Sequence, residues 1–249
     1  MKWREGSWLR QSADGFAADG NGFDHHSGEL LSMTILTACF LFRAHFVNDH
    51  FLTATVSHHF EFHTGALDIG LANGGDVTVF DSNAILLFLA DREQKFVPAI
   101  TDTAQRAEML SWLMFIATGV GPFSGQSVHF RHAAPEPKLY ALNRYDFEAN
   151  RHWRIIEHRL HNQRFMLGET YSIVDMALWG WARMVPYVLG GTDTWEKYPA
   201  VKRFLDEVSA RPAAVRAEAL KTQHAFKTEM DDAAKRFMFP QNERIKDQL

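Results

Sequence analysis

The sequence predicts a chain between α+β and mainly α: one short strand and a buried helix, followed by a long all-helical region. Three observations carry this. From Asp102 onward, apolar residues recur by threes and fours, the spacing of one helix face. A single strand signal, Val77, Val79 and Phe80, runs into Asp81-Ser82-Asn83, a set of good helix N-caps. Before residue 76 no clean period of 3.6 or 2 can be found.

In order along the chain, residues 1–28 are rich in glycine and aspartate and read as a disordered leader. Residues 29–75 hold many apolar and aromatic residues and a run of histidines, His45, His50, His58, His59 and His63. Residues 84–90 are apolar almost all round, which marks a buried helix, and Pro98 opens a linker. A helix is expected over 104–118, ended by Gly119, Gly121 and Pro122. The longest helix is expected over 136–162, with the stripe Leu139, Leu142, Tyr145, Ala149, Trp153, Ile156 and Leu160. In Tyr171-Ser172-Ile173-Val174-Asp175-Met176, Ser172 is an N-cap and Asp175 its reciprocal partner. Tyr171 and Met176 flank them as a hydrophobic staple, and a buried helix follows over 173–188. Two short helices are expected over 200–210 and 213–220, each with a proline near its start, Pro199 and Pro212. The tail beyond is polar.

Composition narrows the functional classes. Net charge is −4 over 249 residues, so no basic field recruits nucleic acid. The longest apolar run, residues 30–42, is about half of the ~20 residues that cross a bilayer, so no membrane partner is expected. One cysteine, Cys39, excludes an intrachain disulfide and fits a cytoplasmic location, with Cys39 an inert core residue. His59 and His63 are spaced to share a helix face, yet no cysteine or HExxH pattern accompanies them, so no metal is expected.

Four stretches resemble the glutathione transferase superfamily. They are residues 79–90 (Val79-Phe80-Asp81-Ser82-Asn83-Ala84-Ile85 onward), the capping segment around Ser172, and Tyr198-Pro199-Ala200-Val201 leading to Arg211-Pro212-Ala213. The fourth, Gly121-Pro122-Phe123-Ser124-Gly125-Gln126 through His129-Phe130 to Tyr140–Tyr145, looks like the bacterial nu-class branch and its disulfide-reductase relatives. The resemblance begins at residue 76. It implies a degenerate or incomplete thioredoxin-like part over 29–98, an all-α C-terminal domain over 102–222 and a polar tail over 223–249.

The resemblance also implies a site. Asp81 would pair with the ammonium of glutathione's γ-glutamyl end, and Ser82 with the helix amides would receive its carboxylate. Arg144 matches an arginine that reaches the ligand near a dimer interface, and Gln126 and His129 are candidates for the cleft. Glutathione is then the co-substrate of a homodimer, conjugated to an apolar electrophile or used to reduce disulfides. Trp112, Phe115, Phe123, Phe130, Trp179 and Trp181 are the aromatic supply for an apolar pocket, each also suited to the core. No catalytic residue can be named, because the family's turn beside the sulfur and its cis-proline have no counterpart; the first proline is Pro98. A displaced reading frame or a divergent replacement of residues 1–75 accounts for this, and translating the other two frames upstream of Asp76 is the check. The competing reading is a non-catalytic binding or scaffold protein that keeps the helical domain.

Overall fold

A computed structural model describes residues 66–70, 76–191, 193–219 and 231–242. Cys39, the histidines His45, His50, His58, His59 and His63, and the expected leader lie outside the described residues.

Strands β1 (Ala66–Gly70) and β2 (Asp76–Phe80) pair antiparallel, with Ala66 opposite Phe80 and Gly70 opposite Asp76. Helix α1 (Ser82–Glu93) follows at once. It buries Ile85, Leu86, Leu89 and Ala90 against α5 (Ile173–Ala182), so this helix shares the core of the helical region. Two polar links hold the junction: Arg106 forks onto both oxygens of Asp91 at 2.8 and 3.0 Å, and Ile173 N–H donates to the Phe96 carbonyl at 3.0 Å.

The region expected to end at Gly119 does not end there. Helix α2 (Thr103–Phe115) runs through a π-helical turn, Ile116–Val120, into α3 (Gly121–Val128), and a second π turn, His129–Ala133, closes the rod. The physical reason is the placement of Pro122. Sitting in the first turn of α3, it lacks an N–H where the ladder has already widened to bonds such as Gly121 N–H to Ile116 C=O, five residues back.

Helix α4 (Leu139–His161) lies along α3. Its inner stripe is Ala149, Trp153, Ile156 and Leu160, all buried, whereas Leu139 at the start of the expected stripe is 77% exposed. Two polar residues share the buried stripe, Glu148 and His152. The expected helix over 173–188 is two helices, α5 and α6 (Val185–Leu189), divided at Arg183 and Met184, with Pro186 in the first turn of the second. Helices α7 (Thr194–Lys197), α8 (Pro199–Ser209) and α9 (Pro212–Ala219) complete the bundle. In the tail, α10 (Asp232–Met238) is capped by the Asp231 carboxylate.

The capping motif at Ser172 forms as its residues dictate. Ser172 Oγ accepts from Val174 N–H at 3.3 Å, and the Asp175 carboxylate accepts from Ser172 N–H and Oγ–H at 2.8 and 3.0 Å. Asp175 also takes Met166 N–H at 2.8 Å, which ties the preceding loop to the helix start.

Candidate functional site

Asp81 sits between β2 and α1 as the N-cap. Its carboxylate Oδ1 accepts from Asn83 N–H at 2.9 Å and Ala84 N–H at 3.2 Å, while its carbonyl accepts from Ile85 N–H at 2.9 Å. The backbone there has φ 71° and ψ 127°, outside every well open to a residue with a Cβ. Such a conformation costs on the order of 1–3 kcal/mol and is held by what surrounds it, here the strand on one side and three helix amides on the other. Ser82, the first helical residue, is half-buried beside it, so a hydroxyl stands at the positive end of the α1 dipole. A carboxylate has about four acceptor positions, and the two amides use only Oδ1. Asp81 can therefore cap the helix and still present Oδ2 to a cation.

Arg144 lies on α4 and its guanidinium donates to Glu148 Oε1 at 2.6 Å. Glu148 Oε2 accepts from Arg151 Nε at 2.8 Å. The two arginines hold the Glu148 carboxyl below the usual carboxylate range, with Arg151 the larger influence, although burial opposes them.

One turn on, the His152 ring is sandwiched between Phe115 at 5.2 Å and Phe123 at 4.8 Å, and its Nδ1 lies 2.7 Å from the Glu148 carbonyl. A carbonyl can only accept, so Nδ1 carries a proton. Nε2 faces Gly119, where a Cβ would stand 2.6 Å from it.

From this sandwich the rings continue. Phe123 meets Tyr145 at 6.5 Å, Tyr145 stacks on Phe130 at 5.3 Å, and Phe130 meets His129 at 5.0 Å. His129 ends against Phe239 of the tail at 4.6 Å, and its burial lowers the imidazole pKa. Phe115, Phe123, Phe130 and Tyr145 are half-buried, whereas Trp179 is wholly in the core.

His129 and Arg144 are thus brought to neighbouring parts of the α3–α4 pair. Gln126 is exposed on α3. Among the described residues, no hydrogen bond, ion pair or ring contact joins Asp81 or Ser82 to this cluster. Sequence reasoning missed Glu148 and His152. The signal was present in their positions, since residues 148 and 152 fall on the same face as Ala149, Trp153 and Ile156.

The comparisons with known proteins follow this geometry. The model of the glutathione S-transferase C-terminal domain matches residues 132–212. The disulfide-bond oxidoreductase YfcG of Escherichia coli is 37% identical over 159 residues, covering 61% of this chain and 68% of YfcG. The chain belongs to the glutathione S-transferase family. A second family member of Escherichia coli, the disulfide-bond oxidoreductase YghU, is 40% identical over 147 residues, which is 56% of this chain and 49% of YghU. This glutathione S-transferase chain therefore aligns with about two-thirds of one curated relative and about half of the other.

Among solved structures, a glutathione transferase family member from Pseudomonas fluorescens with two glutathione molecules bound superposes with TM-score 0.59 at 26% identity. It covers 75% of this chain and 88% of that one. The YghU glutathione transferase of Streptococcus pneumoniae, complexed with glutathione, gives 0.54 at 30% identity, over 61% and 59% of the two chains. Among the described residues, no helix is long and apolar enough to cross a membrane.

Proposed function

We propose that the chain binds glutathione at the N-terminus of α1 and uses its thiol to reduce disulfides. Asp81 pairs with the γ-glutamyl ammonium, and Ser82 with the first-turn amides receives the γ-glutamyl carboxylate. Arg144 supplies a further cation, and the chain acts as a cytoplasmic homodimer. The observation that carries this reading is the backbone of Asp81. An aspartate held at φ 71° directly before a helix start is strain kept at a turn where an ammonium and a carboxylate can be answered together.

Disulfide reduction suits the residues better than conjugation does. The chain has one cysteine, so the exchange needs a thiol brought by the ligand. Two glutathiones are consumed per disulfide, and the Pseudomonas fluorescens relative holds two. Conjugation to an apolar electrophile at the Phe115–Phe130 rings is the alternative activity. A binding protein without turnover is the second reading, favoured by one observation: the first proline is Pro98, so the family's thiol-facing cis-proline has no counterpart.

Calorimetric titration with glutathione, followed by turnover of a glutathione mixed disulfide and of an aromatic electrophile, separates the three. The expected result is saturable binding and turnover of the mixed disulfide. Binding with neither turnover supports the scaffold, and no binding overturns the reading.

A further inference from the structure

The Arg144–Glu148–Arg151 group differs from an ordinary helix ion pair in one respect. Surface pairs at this spacing contribute little because both partners are solvated and mobile. Here the acid is not solvated. The Glu148 side chain is only 8% exposed, whereas those of Arg144 and Arg151 are 53% and 50% exposed. Both carboxylate oxygens are used, Oε1 by Arg144 and Oε2 by Nε and Nη2 of Arg151. The result is a buried anion with two cations reaching over it, of net charge +1.

The backbone under Glu148 is pinned independently. Its carbonyl accepts from His152 Nδ1 at 2.7 Å, and the His152 ring cannot shift because Phe115 and Phe123 clamp both faces. Gly119 removes the side chain that would otherwise occupy the ring's edge. Glu148 is therefore the most constrained member of the group, and Arg144 is held to it through Nη1 with about half of its side chain exposed.

We infer that Glu148 is a positioning residue: it holds the Arg144 guanidinium extended and oriented toward a ligand carboxylate, while Arg151 takes up the charge of its second oxygen so that Arg144 stays electrostatically available. The inference rests on the proposed glutathione reading, in which Arg144 meets the ligand. A guanidinium fixed in advance loses less rotamer freedom on binding, and this is the source of the affinity assigned to Glu148.

The test is a double-mutant cycle on the full chain, read by glutathione titration with thermal unfolding as the check on folding. Glu148→Gln is expected to weaken glutathione binding about 5–20-fold, and Arg144→Ala by at least as much. In the Arg144→Ala background, Glu148→Gln is expected to change nothing further, which a purely structural role of Glu148 would not produce. Should Glu148→Gln fail to fold, Glu148→Asp carries the same comparison, because it keeps the charge but is one methylene too short to span both arginines. An equal loss in both backgrounds, or wild-type affinity in the Glu148 variant, overturns the inference and leaves the glutathione reading standing. Absence of binding by the unmodified protein overturns both.

Discussion

Asp175→Ala is expected to lower stability by about 3–5 kcal/mol, the largest effect of any single substitution considered. The carboxylate is fully buried and satisfies Met166 N–H, Ser172 N–H and Ser172 Oγ–H. Removing it strands two backbone donors in residues that are themselves buried, and each stranded donor costs about 1–3 kcal/mol. It also undoes the start of α5, whose residues Ile173 to Gly180 are buried without exception. Thermal or denaturant unfolding of the variant against wild type measures this, and a loss under 1 kcal/mol would contradict it. The same group predicts a pH dependence. Burial pushes the Asp175 carboxyl from 3.8 up to about 6, against the pull of the hydrogen bonds it accepts. The folded state thus holds the proton more tightly than the unfolded chain. The cost of the buried charge is fully present above about pH 6 and is relieved as pH falls toward 4. From pH 7 to pH 5 wild type should gain about 1 kcal/mol relative to Asp175→Asn, which cannot titrate.

Gly119→Ala is the second large effect, and its sign is informative. Replacing a helical glycine by alanine ordinarily stabilises by up to about 1 kcal/mol. Here the added methyl would stand 2.6 Å from both Cδ2 and Nε2 of His152. The ring is clamped by Phe115 and Phe123 and anchored through Nδ1, so yielding means breaking a buried hydrogen bond or opening the stack. Overpacking of this kind costs about 1–3 kcal/mol and should win. In a His152→Ala background the clash disappears, and Gly119→Ala should then stabilise. A stabilising effect of Gly119→Ala with His152 intact would show that the sandwich is looser than its distances indicate.

What could be read from the sequence was what is decided locally. The Ser172–Asp175 box, the Asp81 cap and the second half of the α4 stripe, Ala149 to Leu160, each follow from nearby residues and formed where the residue types placed them. The stripe's first half, from Leu139, is not buried. The elements that escaped depend on distant partners. Strand β1 carries Asp68 and Gly70 among its five residues, and its identity comes from pairing with β2 rather than from its own pattern. The continuation from α2 into α3 runs against the helix stop that Gly119, Gly121 and Pro122 predict. A π turn absorbs the proline, and the packing of Gly119 on His152 and of Gly121 on Trp181 makes those glycines contact positions. Glu148 and His152 were overlooked because an apolar stripe was counted by hydrophobicity alone. The His152 ring is covered by Phe115 and Phe123, which lie 37 and 29 positions away in the chain.

The glutathione reading turns on whether a hydroxyl at the positive end of α1 meets a ligand carboxylate. Calorimetric titration of glutathione into wild type and into Ser82→Ala addresses this directly, since the hydroxyl is half-buried and its loss leaves the Asp81 cap in place. The account predicts binding weaker by about 1–3 kcal/mol in the variant at unchanged thermal stability. Equal affinity in the two proteins would contradict it.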